Sequence, residues 1–245
     1  MFLKNPPFEN RMNRTETLLG WLYFPLHVLI FPYLFSLYAA FSPDALTQAQ
    51  ANLVYYCVGI AFVLFVMFRF LRDCFDGFMD RPGYCILTML TALLLDYGLS
   101  YIIMLLLMLV AGNSIDPNAV INPNSTEVMT MATMDYGAVR AIGIFMAPVV
   151  EEVLFRGVLF GSVRSRSRVG AYALSILLFS LYHVWQSALA AGDATVLLYA
   201  VQYLPISFVL AWAYERTGSI WTAIFFHMGF NAISFYALDL LQTMM

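Results

Sequence analysis

The chain is organised as long apolar stretches separated by short polar segments. Seven stretches, at about 18–41, 52–71, 84–111, 138–163, 169–191, 194–214 and 217–241, are long and apolar enough to cross a bilayer as helices. About 20 apolar residues are needed to cover a hydrocarbon core of roughly 30 Å. Most of the stretches are apolar on all faces, as expected for helices surrounded by lipid. The pattern therefore predicts an all-α polytopic membrane protein with seven spans, or eight if the long third stretch hides a break. No internal repeat or low-complexity run divides it. The expected arrangement is one membrane domain, 1–245. Residues 1–137 supply three spans and an outer loop, and 138–241 supply a four-helix core.

Composition agrees with this reading. Of 245 residues, 62% are hydrophobic and 11% charged, against roughly 25% charged in soluble domains. The net charge of −3 matters less than the placement of the basic residues. Lys4, Arg11, Arg14, Arg69, Arg72, Arg81, Arg164, Arg166, Arg168 and Arg216 all fall on one side of the seven-span threading. By the positive-inside rule that side, with the N-terminus, is cytoplasmic. Arg140 falls near the outer interface and can snorkel. There is no basic run suited to nucleic acid. Cys57, Cys74 and Cys85 have no ligand spacing and no paired framework. The first span is too long for a signal-peptide core, so it is expected to stay uncleaved. The segment before residue 18, with Pro6 and Pro7, is expected at the interface or disordered. Asn124-Ser125-Thr126 is a glycosylation sequon on the outer side.

The fourth stretch holds charges that lipid does not tolerate cheaply. Glu151, Glu152 and Arg156 sit within one apolar helix, and each charge at the bilayer centre costs at least about 2.5–3.5 kcal/mol. Glu152 and Arg156 are four apart and share a face, so they can neutralise each other. Glu151 lies about 100° round the helix and is left available. Pro148 removes a backbone hydrogen bond just before the acids, so a bend or cavity is expected there. At 1.5 Å per residue, Glu151 is about 20 Å from Arg164, and His183 about 22 Å from Arg168. By the same measure His227 and Asn231 lie about 16 and 22 Å from Arg216. Three helices thus bring a carboxylate, two imidazoles and an amide to one level, the combination a hydrolase needs. Taken singly, each has an ordinary structural explanation, as a buried ion pair or an interhelical hydrogen bond. His27 and Asp96 also fall near mid-membrane, and for them the ordinary reading holds. His27 is expected to bond a neighbour, and Asp96 to pair with a Tyr, a Ser or a backbone group. Gly157 and Gly161 form a small-xxx-small step that lets another helix approach.

Glu151-Glu152-Val-Leu-Phe-Arg156, Phe179-Ser-Leu-Tyr-His183 and His227-Met-Gly-Phe-Asn231 resemble the EExxxR, FxxxH and HxxxN motifs of the CPBP family (CAAX protease and bacteriocin-processing, or Abi). The likeness covers about 138–241. It implies that Glu151 and His183 activate the attacking water, and that His227 and Asn231 form the oxyanion site. Glu152 and Arg156 would brace the site, and Phe179 would pack beside His183. It also implies eight spans, where the apolar pattern shows seven. The implied activity is intramembrane endopeptidase cleavage of a prenylated or leader-peptide substrate near the cytoplasmic half of the membrane. The partners are membrane lipid and a membrane-associated protein or peptide. Zinc held by Glu151, His183 and His227 is the alternative to a metal-independent glutamate mechanism, which is favoured because Asn231 suits an oxyanion donor better than a zinc ligand. A non-catalytic scaffold or bacteriocin self-immunity protein and an ion-coupled transporter are the rival functions. The short chain without targeting signals points to a bacterial or archaeal plasma membrane.

Overall fold

The computed structural model describes residues 8–41, 46–111, 130 and 136–244, and among these the regular structure is entirely helical. The sequon at 124–126, most of the outer loop and Pro6, Pro7 and Lys4 lie outside the described residues. In chain order the helices are α1 (14–41), α2 (Gln48–Val66), α3 (Phe68–Met79), α4 (Pro82–Ala111), α5 (136–164), α6 (Arg168–Tyr182), α7 (Trp185–Ala191), α8 (Leu204–Thr217) and α9 (Ile220–Met244). A 3₁₀ segment, Ala194–Tyr203, leads into α8.

Four helical stretches are long and apolar enough to cross a membrane, and the bent pair α6–α7 raises this to five. The seven or eight spans expected from the sequence are therefore not all met. The shortfall falls on the motif helices. Arg140, Glu151, Glu152, Arg156 and Arg164 make α5 too charged to qualify, and His227 and Asn231 dilute α9. The second stretch also ends sooner than expected, at Val66 rather than 71. Met67 breaks the helix, and the chain restarts as α3, with Phe70, Leu71, Cys74 and Phe78 buried. Arg69 and Arg72 stay exposed beside Asp73. This one-sided pattern is that of a helix lying on the bundle rather than threading it. Glu16 ties it down. One oxygen accepts the Asn13 N–H in a capping box at 2.8 Å, and the other accepts the Phe70 N–H at 3.0 Å, so one carboxylate caps two helices. The third stretch is a single unbroken helix, α4, with no hidden span.

One core cluster joins α1, α2 and α3 to α5, α6, α8 and α9. At its centre residues 150–161 of α5 are buried on all sides. The arginine-bearing helix ends lie together. The Arg11 guanidinium donates to the Asp73 carbonyl, Arg164 and Arg168 converge on Glu215, and the Arg81 guanidinium donates to the Thr217 carbonyl. Cys57 is exposed, Cys74 and Cys85 are buried, and all three are free. Burial pushes the Cys74 thiol up to about 11, so it is unreactive near neutrality. Asp96 is buried, but its Oδ1 has no hydrogen-bond partner, contrary to the pairing expected from the sequence.

The Gly157–Gly161 step receives a different neighbour from the one expected. Met12 and Asn10, in the extended segment before α1, pack onto the two glycines, with the Phe70 ring beside Gly157. Among the described glycines, Gly20 of α1 is the one most tightly covered by another helix: an added Cβ would lie 2.5 Å from Val158 Cγ2 and 3.0 Å from Met67 Cε. Val158 is β-branched and fully buried, so it has little room to yield. Gly20→Ala is expected to lose about 1–3 kcal/mol to overpacking, more than the roughly 0.5–1 kcal/mol that alanine gains in a helix. A lower melting temperature in detergent checks this. Gly98→Ala on α4, where nothing lies within 4 Å, should show no loss.

Candidate active site

The site is built from α5, the α6–α7 break and α9, with α2 and α8 as support. Glu152 and Arg156 are both wholly buried, and Arg156 Nη1 donates to Glu152 Oε1 at 3.0 Å. The guanidinium also donates through Nη2 to the Ser207 carbonyl and hydroxyl, each at 3.1 Å. Its carbon stands 4.0 Å from the centre of the Phe179 ring. Phe179 therefore stacks on Arg156 as well as packing against the His183 ring. These contacts replace the water that a guanidinium would otherwise keep. Ser207 has no counterpart in the motif pattern, and nothing in the sequence distinguished it from other serines in apolar helices.

Glu152 Oε1 also meets His227 Nδ1 at 2.9 Å. Since the carboxylate can only accept, Nδ1 carries the proton, and His227 presents Nε2 to the cavity. Asn231, one turn further along α9, donates from Nδ2 to the Gly143 carbonyl at 2.7 Å. The reason lies in the backbone of α5. Residues Ile142–Met146 form a π turn in which the Ala147 N–H bonds Ile142 instead of Gly143. The next residue along, Pro148, has no N–H to offer. The Gly143 carbonyl is left without a helical partner, and the Asn231 amide takes it. Pro148 thus produces the backbone irregularity expected of it.

Glu151 points elsewhere. Its Oε1 accepts from the Tyr56 hydroxyl at 3.0 Å, and its Oε2 lies 3.8 Å from His183 Nε2. His183 is placed by the end of α6. The helix stops there, and the His183 N–H turns to the Leu181 carbonyl. The Phe179 carbonyl, which that N–H would have bonded in a continuing helix, accepts from His183 Nδ1 at 2.9 Å instead. The bond fixes the tautomer, leaving Nε2 as the free nitrogen facing Glu151. The break bends the expected fifth span by 40°. No Gly or Pro marks it in the sequence, so it was not anticipated.

Behind Glu151 lies a set of tyrosines with no place in the motif reading. The Tyr182 hydroxyl is 3.1 Å from that of Tyr55 and 3.4 Å from that of Tyr56, and Tyr55 donates to the His27 carbonyl at 2.8 Å. The His27 ring stacks on Tyr55 and lies 3.4 Å from the Tyr23 hydroxyl, so it does bond a neighbour. Its Nε2 has no partner. His27 therefore belongs to the packing behind the site and does not reach the cavity. Tyr56 lies more than 90 residues from Glu151 in sequence, so no local pattern pointed to it.

Glu151, His183, His227 and Asn231 line one cavity of about 600 Å³. Its walls come from 139–151 of α5, 48–56 of α2, 227–235 of α9 and the chain beyond the α6 break. The cavity leads away from the arginine-bearing end. As for zinc, no three His, Cys, Asp or Glu side chains among the described residues converge as a ligand set. Glu151 faces His183, while His227 is turned to Glu152. Glu151, His183 and His227 are therefore not gathered as a zinc set in this structure.

With this geometry in place, similarity to known proteins is informative. Residues 136–233 match the family described as type II CAAX prenyl endopeptidase Rce1-like. The match covers the helical core that carries all three motifs. The chain is also similar to the UPF0177 protein YxdF of Lactococcus lactis, 26% identical over 129 residues, spanning 48% of this chain and 66% of that protein's length. No solved structure matches.

Two expectations follow. Arg156→Met would leave Glu152 charged and buried and should cost about 3–5 kcal/mol, while the double change Glu152→Gln with Arg156→Met should recover part of the loss. Melting in detergent reads both. Tyr56→Phe should keep the fold, since it removes one hydroxyl and no packing volume. It should lower kcat with little change in KM, because the bond it removes orients Glu151 rather than holding substrate.

Proposed function

We propose that the chain is an intramembrane endopeptidase that hydrolyses a peptide bond in a membrane-associated peptide, with water activated by Glu151 and His183. One observation carries the reading: Glu151 Oε2 and His183 Nε2 face each other at 3.8 Å across the cavity, while the far atom of each group is held by another bond. A gap beyond hydrogen-bond length between two such acceptors is one that a single water bridges. Glu151 takes the water proton as the water oxygen bonds to the substrate carbonyl carbon, and the carbonyl electron pair moves onto oxygen. His227 and the second N–H of Asn231 receive that oxyanion. For His227 to donate from Nε2 the ring must carry both protons, and Glu152 then supplies the countercharge. Collapse of the intermediate breaks the C–N bond, and the leaving amine takes the proton back from Glu151. Arg156 and Ser207 hold Glu152, and through it His227, in place.

Similarity of residues 136–233 to the CAAX protease family supports a hydrolase, and the donor geometry supports the metal-independent form. Scaffold, self-immunity and ion-coupled transport roles would also account for buried charges. They give no reason for two acceptors held across a cavity beside two potential oxyanion donors.

The test is a screen of prenylated and unprenylated fluorogenic peptides against the purified protein in liposomes, with and without a chelator. Cleavage should persist with chelator and fall by about 10²–10⁴ in Glu151→Gln, the range of general acid–base catalysis. Equal cleavage by wild type and Glu151→Gln would overturn the assignment, and loss of activity on chelation would overturn the metal-independent form.

A further inference from the structure

The cavity has a floor and a mouth, and they lie at opposite depths. Glu151, Phe179, His183 and His227 form the floor. Below it, towards the arginines, the bundle is solid: Leu154, Phe155, Arg156, Val158, Phe160 and Leu210 are all wholly buried. Nothing from the 152–164 half of α5 touches the cavity. Upward, the lining runs out to the exposed residues Gln48, Gln186 and Ser234, on three different helices. A molecule reaching Glu151 therefore comes from the end remote from Arg11, Arg69, Arg81, Arg164, Arg168 and Arg216.

Arginine-bearing ends of a membrane bundle face the cytoplasm. On that end the contacts of Arg11, Arg81, Arg164 and Arg168 join five helix termini, so the asymmetry belongs to the folded bundle and not only to the threading. The lining also has a chemical bias. Among the described residues it contains no Lys or Arg, and the charge of a protonated His227 is already met by Glu152, so a free C-terminal carboxylate drawn in would be desolvated without an unpaired cation to meet it. Gln48, Gln186 and Ser187 instead present groups that both donate and accept, as a peptide main chain requires.

We infer that the site is served from the extracytoplasmic side and takes an internal, uncharged peptide segment lying at the outer half of the membrane. The substrate class is then a peptide or lipid-anchored protein already carried across the bilayer, not a cytoplasmic protein cut next to its C-terminus. The direction of entry rests on the fold and the placement of the arginines, and the substrate rests on the peptidase reading.

The two parts are tested separately. In a Cys57→Ser, Cys74→Ala, Cys85→Ala background, Ser187→Cys at the mouth and Ser165→Cys at the arginine end are expressed singly in bacterial cells. A membrane-impermeant maleimide should label the first in intact cells and the second only after permeabilisation. Gln48→Cys gives an independent mouth position on α2 should Ser187→Cys not fold. Mouth labelling that requires permeabilisation overturns the direction of entry. For the substrate, one fluorogenic peptide is offered to the wild-type protein in liposomes as the free acid and as the C-terminal amide. Equal rates are expected. A preference for the acid of more than about tenfold, what one charge-assisted hydrogen bond is worth, overturns the internal-bond assignment. A protein that labels from outside yet cleaves neither form loses the peptidase reading and its substrate, while the direction of entry stands.

Discussion

The buried pair of Arg156 and Glu152 is the constraint around which the rest of the core is arranged. A guanidinium with no exposure has to find partners for its donors inside the protein. It obtains them from a carboxylate one turn away, from a serine on another helix and from the face of a phenylalanine on a third. These contacts draw α5, α6 and α8 together. They also fix Glu152, which in turn takes the Nδ1 proton of His227 and so brings in α9. The pairing is not complete: Glu152 Oε2 and Arg156 Nε lack partners. A buried pair of this kind is poor evidence of added stability, since desolvation offsets much of its attraction. Its evident effect here is to hold a histidine in one orientation at the floor of a cavity.

Three departures from regular helix make that floor. The π turn at Ile142–Met146, just ahead of Pro148, frees the Gly143 carbonyl for Asn231. A second π segment, Val153–Phe160, carries Arg156 and is buried throughout. The break after His183 releases the Phe179 carbonyl to the His183 ring. In each case an irregular backbone group is satisfied by a polar side chain, in the second by the Ser175 hydroxyl, which donates to the Phe155 carbonyl at 3.2 Å, and this is what a low-dielectric interior demands. In two of them that side chain belongs to the proposed catalytic set. Helical irregularity and side-chain orientation are thus one arrangement, and π segments of this kind are often found at functional sites.

The half of the chain outside the matched region contributes more than lipid-facing surface. Tyr56 and Tyr55 on α2 and Tyr23 and His27 on α1 form an aromatic wall behind Glu151. Glu16 and the short helix α3 close the arginine-bearing end. The result is a bundle shut at one end and hollowed from the other.

Much of this was legible in the sequence. Apolar stretches long enough for a bilayer dictate helices, because backbone groups in lipid have no other partners. The cost of charge in an apolar helix singled out Glu151, Glu152 and Arg156, and helical periodicity paired Glu152 with Arg156, an i,i+4 contact that needs nothing beyond α5. Equal depth on separate helices pointed to His183, His227 and Asn231. The rest depended on long-range contacts. Tyr56 and Ser207 meet their partners across helices, and no local pattern separates them from other tyrosines and serines. The break at His183 and the approach of Met12 and Asn10 to Gly157 and Gly161 arise from packing between segments. Which way the cavity leads is decided by which halves of five helices part and which close. Sequence determines what each helix must bury, because burial costs are local. Only the tertiary structure decides what each buried group meets, because its partners are brought to it by other helices.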